Sequence, residues 1–253
     1  MALRIAFLAS DAPLAQAARQ RLAARYGDAD PAAADVVVAL GGDGFMLQAL
    51  HRVQAQGTPV YGMNRGTVGF LMNAYREDHL PDRLASAEHA AINPLRMRAE
   101  PLGGGLTEAL AINEVSLLRA GPQAAKLRVL VDGRLRLEEL VCDGILLATP
   151  AGSTAYNYSA YGPVLPISAE VLALTAIAPF RPRRWRGALL PKSATVRFEV
   201  IEPDRRPVRA DADSVPVESV RAVEVASEPA VSHHLLFDPG HGLDERLIRE
   251  QFA

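Results

Sequence analysis

The sequence has few of the residues that build several common classes of site. Cys142 is the single cysteine among 253 residues, which excludes an internal disulfide and a zinc site made of cysteines. The six histidines show no close metal-ligand spacing, so we predict no resident metal site. No apolar run reaches the ~18 residues of a transmembrane helix, and the start of the chain lacks a signal-peptide pattern. We therefore expect a cytoplasmic protein with no membrane partner.

The charge balance also lacks an excess of either sign. Lys and Arg number 27 against 29 Asp and Glu, a net charge of −2, so we expect no nucleic-acid partner. One basic run, RPRRWRG at 181–187, could contact phosphates. Because it is short and the protein is net acidic, a solvated turn is the better interpretation.

The first part of the chain alternates between two hydrophobic periods. We predict strands at 3–9, 35–40 and 60–62 and helices at 13–26 and 45–54. Strands alternating with helices at these lengths indicate a parallel sheet with crossover helices. We assign residues 1–93 to an α/β domain with a parallel sheet.

After residue 93 the pattern changes to short apolar runs separated by Gly, Pro and Asp. We predict strands at 95–100, 111–118, 126–131, 134–140, 144–148, 195–201 and 207–211. Glycines at 103–105 and the sequence VDGRL at 131–135 favour hairpins. We assign 94–231 to an all-β, sandwich-like domain. The tail, 232–253, regains helical spacing from 241, and we expect it to pack back on the first domain.

The stretch VVVALGGDGFMLQALHR, 36–52, places an acid, Asp43, among Gly41, Gly42 and Gly44. A strand followed by a glycine turn and a helix is where open α/β sheets bind ligands, and the helix N-terminus favours phosphate. An ordinary N-cap would explain Asp43 alone, but it would not explain three glycines. Neither the Walker pattern nor the dinucleotide pattern G-x-G-x-x-G occurs.

A second loop, GMNRGTVGFLMN at 62–73, also follows a predicted strand. Arg65 could bind phosphate there or be solvated, and Phe70 could stack on a base or fill the core. Further on, Asn113 and Glu114 stand side by side within a predicted strand, so at least one should face buried space unless the strand ends there. A bound polar ligand would satisfy them; a solvated strand end is the alternative.

The segment CDGILLATPAGSTAYNYSAYGPVLP, 142–166, is rich in small and polar residues that suit a nucleotide. Asp143 either begins a strand or binds a polar group. A serine nucleophile is disfavoured, because G-x-S-x-G is absent and no histidine partner is evident.

Together, GGDG, GMNRGTVGFL, INEVSL and DGILLATPAGSTAYNYSAYGP resemble the NAD kinase family in order and approximate spacing, over about residues 36–192. The resemblance implies an α/β domain, a β-sandwich-like domain and a C-terminal segment that returns to the first domain. It also implies transfer of the γ-phosphoryl group of ATP to the 2′-hydroxyl of the adenosine ribose of NAD, giving NADP.

The resemblance further implies roles for individual residues. Asp43 would be the proton acceptor. From the chemistry of the two loops, we expect Gly41, Gly42, Gly44 and Arg65 to form the phosphate-binding loop. The positions implied to contact NAD are Asp43, Gly44, Phe70, Asn113, Glu114, Asp143, Ala151, Thr154, Ala155, Tyr156, Asn157, Tyr158 and Ser159. Mg²⁺ or another divalent cation would arrive with ATP, and the protein would be a homodimer or homotetramer.

The chain departs from the family pattern at several positions. Many relatives have Thr at Ala151 and Gly at Tyr161, and their DGQ-like segment is DAD here, Asp211–Asp213. These departures concern the choice of donor, ATP or polyphosphate, and the preference for NAD or NADH. The sequence also does not reveal whether NADP or NADPH gives feedback. A lipid or sugar kinase with the same glycine loop, and a non-catalytic NAD sensor, are the rival interpretations.

Overall fold

Strand and helix alternate over the first part of the chain, and strands follow one another through the middle. A computed structural model describes residues 3–66 and 69–251. The strands are β1 Ile5–Ala9, β2 Val36–Gly41, β3 Val60–Asn64, β4 Glu88–Ile92, β5 Leu95–Pro101, β6 Thr107–Ala111, β7 Glu114–Arg119, β8 Ala125–Val131, β9 Arg134–Cys142, β10 Gly144–Ala148, β11 Val171–Ile177, β12 Gly187–Pro191, β13 Val196–Val200, β14 Val208–Ala212, β15 Val215–Val217, β16 Val220–Ser227 and β17 His233–Phe237. The α-helices are α1 Pro13–Tyr26, α2 Asp43–Arg52, α3 Leu80–Ala85, α4 Tyr156–Ser159 and α5 Leu243–Gln251.

The first two helices show how sequence sets their limits. Helix α1 has Pro13 at its start, where the missing N–H is not needed, and ends at Gly27, which has a φ of 79°. Helix α2 begins at Asp43, two residues before the predicted start. The prediction was wrong here because the N–H groups of a first helical turn need no intrahelical partner, so Asp and Gly are tolerated there.

Contacts divide the chain into two compact units. Unit 1 comprises residues up to Ile92 together with those from Val231 onward, and unit 2 comprises Asn93–Ala230. Unit 1 is built on one sheet in the order β1-β2-β3-β17-β4. The first four of these strands are parallel and β4 is antiparallel to β17.

The C-terminal segment therefore supplies an internal strand of this sheet. Strand β17 pairs with β3 on one side and with β4 on the other, and helix α5 follows it. Residues Leu235 and Phe237 are fully buried. The helical spacing predicted for 241–253 corresponds to α5, and positions 252–253 of that prediction lie outside the described residues.

Unit 2 is an antiparallel β-sandwich. Its two six-stranded sheets run β12-β11-β10-β7-β14-β15 and β6-β5-β16-β13-β8-β9. Alternate side chains of both sheets form one apolar core, typified by Val129 and Leu147. The Asp132–Gly133 hairpin loop has positive φ at both positions, as a two-residue hairpin turn requires.

Two segments of unit 2 that the sequence singled out differ in burial. In the basic run, Trp185 packs against the sandwich core while Arg183 and Arg184 are exposed, which supports a solvated turn. The Cys142 thiol is buried, and burial raises its pKa to about 12, so it is protonated at neutral pH. Within the described residues, no helix combines the length and apolarity needed to cross a membrane.

Candidate active site

Asp43 is held by a loop of unit 1 rather than by its own helix. Strand β2 ends at Gly41, and Gly42 precedes Asp43, the first residue of α2. The N-cap position of α2 is occupied by Gly42, so Asp43 is inside the helix and is not its cap. Instead, the backbone N–H of Phe70 donates to its Oδ2 at 2.7 Å and that of Leu71 to its Oδ1 at 2.8 Å. The N-cap interpretation is therefore wrong, and the carboxylate is fixed at both oxygens.

The surroundings of Asp43 set its basicity. Burial raises the pKa of Asp43, while the N–H groups of Leu71 and Phe70 and the charge of Arg246 lower it. Burial outweighs the other effects, so the pKa lies above its usual range. The side chain combines a fixed position with an increased affinity for a proton.

The three glycines around Asp43 serve different purposes. A Cβ at Gly41 would lie 2.8 Å from the Cβ of Phe45, so this position is restricted by packing. A Cβ at Gly42 or Gly44 would meet no heavy atom of the described residues within 4 Å. The space above these two residues is open for a ligand to approach the backbone.

Strand β3 brings the second predicted loop beside the first. Gly41 pairs with Asn64, and the N–H of Arg65 donates to the carbonyl of Gly41 at 2.7 Å. The Arg65 guanidinium lies 3.9 Å from the centre of the Tyr75 ring. Its Nε is buried and has no hydrogen-bond acceptor within the described part of the chain. The Arg65 backbone thus lies beside the glycine turn, while its guanidinium packs on Tyr75 and keeps one donor unused within the described residues.

The other predicted residues lie in unit 2. The prediction of one strand at 111–118 is wrong: β6 ends at Ala111, the chain bends, and β7 begins at Glu114. The bend is fixed by Asp213, whose carboxylate accepts the N–H groups of Ile112 and Asn113 at 2.7 and 2.9 Å. Asn113 is therefore at a bend and Glu114 at a strand start.

Glu114 is an unusual carboxyl group. Its Oε2 is buried and has no hydrogen-bond partner among the described residues. Burial, and then the negative charge of Asp213, raise the pKa of Glu114 to about 8. The group is mainly protonated at neutral pH and can donate as well as accept a hydrogen bond.

The polar segment after β10 folds into two short helical turns. A 3₁₀ turn spans Ala151–Thr154, and α4 follows it. Thr149 joins the turn to the bend, because its N–H donates to the carbonyl of Asn113 at 2.9 Å. A Cβ at Gly152 would collide with that same carbonyl. The structure thus brings the Asn113–Glu114 bend and the 151–159 segment together.

The residues of this segment differ in accessibility. Ala151 is buried, Thr154 and Ala155 are half-buried, and Tyr158 and Ser159 are exposed. Asn157 is fully buried; its amide donates to the carbonyls of Ser153 and Pro163 and accepts from the Thr175 hydroxyl. The Asn157 side chain holds the segment in place and is not open to a ligand in this structure.

Tyr156 lies within the electrostatic influence of three acidic residues of unit 2. Burial raises the pKa of the Tyr156 phenol, and the negative charges of Glu114, Asp143 and Asp211 raise it further. Asp143 lies between β9 and β10, and it accepts from Arg119 Nε at 2.6 Å. Two of the predicted residues, Glu114 and Asp143, therefore lie near enough to Tyr156 for their charges to act on its phenol.

Sequence reasoning missed two residues that shape these sites. Asp213 lies about a hundred positions from the bend that it fixes, and the DAD segment was the only sign of it. Arg246 lies in the tail, which was predicted only as a helix.

The sequence matches known families in both units. Residues 6–90 match the ATP-NAD kinase N-terminal domain, and residues 112–225 match the ATP-NAD kinase C-terminal domain. An NAD kinase of Cereibacter sphaeroides is 68% identical over 250 residues, covering 99% of this chain and 98% of that protein. An NAD kinase of Hyphomonas neptunium is 58% identical over 251 residues, with coverage of 99% and 98%.

Solved structures agree on the fold. An NAD kinase from Archaeoglobus fulgidus in complex with ATP matches with a TM-score of 0.79 and 23% identity, covering 98% of each chain. Yeast NADH kinase complexed with NADH matches with a TM-score of 0.75 and 26% identity; the match covers 86% of this chain and 65% of that one. The resemblance seen in the motifs is confirmed: the chain belongs to the ATP-NAD kinase family.

Proposed function

We propose that this chain transfers the γ-phosphoryl group of ATP to the 2′-hydroxyl of the adenosine ribose of NAD, and that Asp43 accepts the proton of that hydroxyl. Kinase activity on NAD follows from the family and from relatives named NAD kinase at 55–68% identity over nearly the whole chain. The role of Asp43 is supported by one observation above all: two backbone N–H groups fix both of its carboxylate oxygens.

A fixed carboxylate suits this reaction. A ribose hydroxyl is a poor nucleophile at neutral pH, and phosphoryl transfer depends mostly on positioning and charge stabilisation. Each oxygen of Asp43 accepts one N–H and retains a further lone pair for the hydroxyl. Its raised pKa favours acceptance of the proton as the bond to phosphorus forms.

The phosphates require a different set of groups. We assign them to the backbone of the glycine turn, the N-terminus of α2 and Arg65, whose buried Nε faces no acceptor among the described residues. The donor in this proposal is MgATP, since the cation that accompanies ATP offsets repulsion between Asp43 and the triphosphate. We propose ATP as donor and polyphosphate as the alternative that an assay with each compound distinguishes.

The polar surface of unit 2 suits the adenosine part of NAD. We propose that Asn113 and Glu114 bind adenosine and that Asp143 and the 151–159 segment complete the dinucleotide site. The protonated Glu114 carboxyl can donate to an acceptor on the nucleoside and so satisfy its buried oxygen. For the whole protein we propose a cytoplasmic location and a homodimer or homotetramer. The molar mass from light scattering tests the oligomeric state.

The Asp43→Asn variant tests the proposed base. We expect kcat to fall by at least ~10²-fold, because an amide cannot take the proton, while the dissociation constant for NAD stays within a few-fold. Turnover close to that of the unchanged protein would contradict the role of Asp43.

A matched control is needed because the new amide nitrogen would face a backbone N–H. Asp28→Asn supplies it: Asp28 also accepts a backbone N–H, that of Phe7 at 3.0 Å, and lies in unit 1 outside the glycine turn. We expect this variant to lose thermal stability and retain its kcat. A similar loss of kcat in both variants would assign the effect to folding instead.

A further inference from the structure

The arginine of the C-terminal helix contacts the backbone segment that holds Asp43. Nη1 of Arg246 donates to the carbonyl of Phe70 at 3.0 Å and to that of Met72 at 2.7 Å. The side chain is half-buried, so these bonds are partly protected from water. Arg246 thus lies against the outer side of the 70–72 backbone.

A single peptide group connects Arg246 with Asp43. The carbonyl of Phe70 and the N–H of Leu71 belong to the same planar peptide. Arg246 donates to its oxygen, and its N–H donates to Oδ1 of Asp43 at 2.8 Å. A charged donor on the oxygen polarises the peptide and strengthens the N–H as a donor. The guanidinium is therefore placed to influence both the orientation and the strength of this bond.

The rest of the guanidinium is fixed independently of Asp43. Nε donates to the carbonyl of His241 at 2.7 Å, and Nη2 donates to Oδ1 of Asn73 at 3.3 Å. The guanidinium carbon lies 5.0 Å from the centre of the Phe237 ring in β17. Asn73 also donates to the carbonyls of Gly62 in β3 and Leu236 in β17. The guanidinium is therefore connected to the sheet of unit 1.

We propose that Arg246 is a positioning residue for the kinase reaction: it holds the Phe70–Leu71 peptide so that this peptide aims the Asp43 carboxylate. The proposal rests on the proposed role of Asp43. Arg246 does not touch the reacting atoms in this scheme. The C-terminal segment thereby contributes to catalysis as well as to the sheet.

The competing explanation is that Arg246 only attaches α5 to unit 1. The pH profile of kcat separates the positioning role from the attachment role. Within the described residues, Arg246 is the charged side chain that lowers the pKa of Asp43, beside the N–H groups of Leu71 and Phe70. Removing it should raise that pKa, so the acidic limb of the kcat profile should move to higher pH. A purely structural attachment would leave the plateau value of kcat unchanged, whatever the limb does.

The experiment compares Arg246→Gln and Arg246→Lys with a control, Arg83→Gln. Arg83 bonds the carbonyls of Ala74 and Arg76 in the same connecting segment and pairs with Asp238, but it has no bond to the 70–72 backbone. We expect Arg246→Gln to lower kcat at least ~10-fold with KM for NAD within about threefold, since misplacement of a reacting group mainly affects turnover. Arg246→Lys should recover part of kcat, and Arg83→Gln should lower Tm while retaining kcat and the acidic limb.

Two further measurements separate the possible failures. The Asp43→Asn/Arg246→Gln double variant should be no slower than Asp43→Asn alone; fully multiplied losses would overturn the proposal. Amide hydrogen exchange of Leu71 should be faster in Arg246→Gln whether or not Asp43 is the base. Normal turnover of Asp43→Asn would reject the base, whereas unchanged exchange, kcat and pH profile in Arg246→Gln would reject the positioning role.

Discussion

At the scale of the residue, Glu114 should make the free energy of unfolding depend on pH, which can be measured without substrate. Its pKa is raised from 4.5 to about 8, chiefly by burial. Between these values the native protein binds a proton that the unfolded chain does not, so the free energy of unfolding falls as pH rises, by at most about 1.4 kcal/mol per pH unit. Glu114→Gln replaces the titrating carboxyl with an amide, so the Glu114 contribution to the slope of unfolding free energy against pH is lost. We expect the variant to gain stability relative to the unchanged protein from about pH 5 to 8, as measured by urea unfolding.

The exposed Glu108 provides the control for this experiment. Its side chain is 49% exposed, and Glu108→Gln makes the same chemical change elsewhere in unit 2. Parallel stability curves for Glu114→Gln and the unchanged protein would show that Glu114 is not protonated in the native state. A rise in both variants would instead indicate a general effect of removing negative charge.

Residue types in the sequence predicted where chemistry would occur, but not how each residue is held. Asp43 was identified because an acid among glycines is unusual in a phosphate-binding turn. Its hydrogen bonds to Phe70 and Leu71 were not predictable, since they join positions 27 and 28 residues away. Asn113 was placed inside a strand because the bend at this position is imposed by Asp213 from another part of the chain.

At the scale of the element, we expect alanine substitutions at two glycines of the turn between β2 and α2 to have opposite effects on stability. Gly44→Ala adds a methyl group where no heavy atom of the described part of the chain lies within 4 Å, and alanine favours a helix by about 1 kcal/mol. We expect its Tm to be retained or raised, while KM for NAD or ATP rises or kcat falls because the methyl group occupies the ligand's space. Gly41→Ala should be destabilised by about 1–3 kcal/mol, because its Cβ would overlap Phe45.

A control on the same helix separates propensity from ligand access. Gln48 is exposed one turn after Gly44, so Gln48→Ala changes the helix and leaves the turn unchanged. Thermal unfolding and steady-state kinetics of the three variants test the argument. Gly44→Ala with normal KM and kcat would remove Gly44 from the proposed substrate contacts.

Elements differ in how far local pattern determined them. Helix α1 was predicted at its observed limits, because its starting proline and closing glycine are local signals. Strand β17 has only five residues and its partners β3 and β4 lie more than 140 positions earlier, so no local signal distinguished it. Its pairing depends on long-range contacts, which a single sequence does not display.

At the scale of the whole molecule, the C-terminal segment has two separable parts, a strand and a helix. A variant that ends at Pro239 loses α5 and Arg246 but keeps β17. We expect its unit 1 to remain folded, with lower Tm and with kcat reduced at least as far as in Arg246→Gln. A variant that ends at Ala230 also loses β17, which pairs on both sides.

The shorter variant should lose the structure of unit 1. The strand buries Leu235, Leu236 and Phe237, which together contribute about 5–9 kcal/mol. Among the described strands, its removal leaves β3 paired only with β2 and takes from β4 its neighbour in the sheet. This loss is comparable with the whole stability of a typical domain, about 5–15 kcal/mol. Unit 2 has its own core and a continuous chain from Asn93 to Ala230, so its amides should stay protected. Hydrogen exchange of both variants measures this directly: protection of β3 should persist in the longer variant and vanish in the shorter one. Protected β3 amides in the variant ending at Ala230 would show that β17 is dispensable for the sheet.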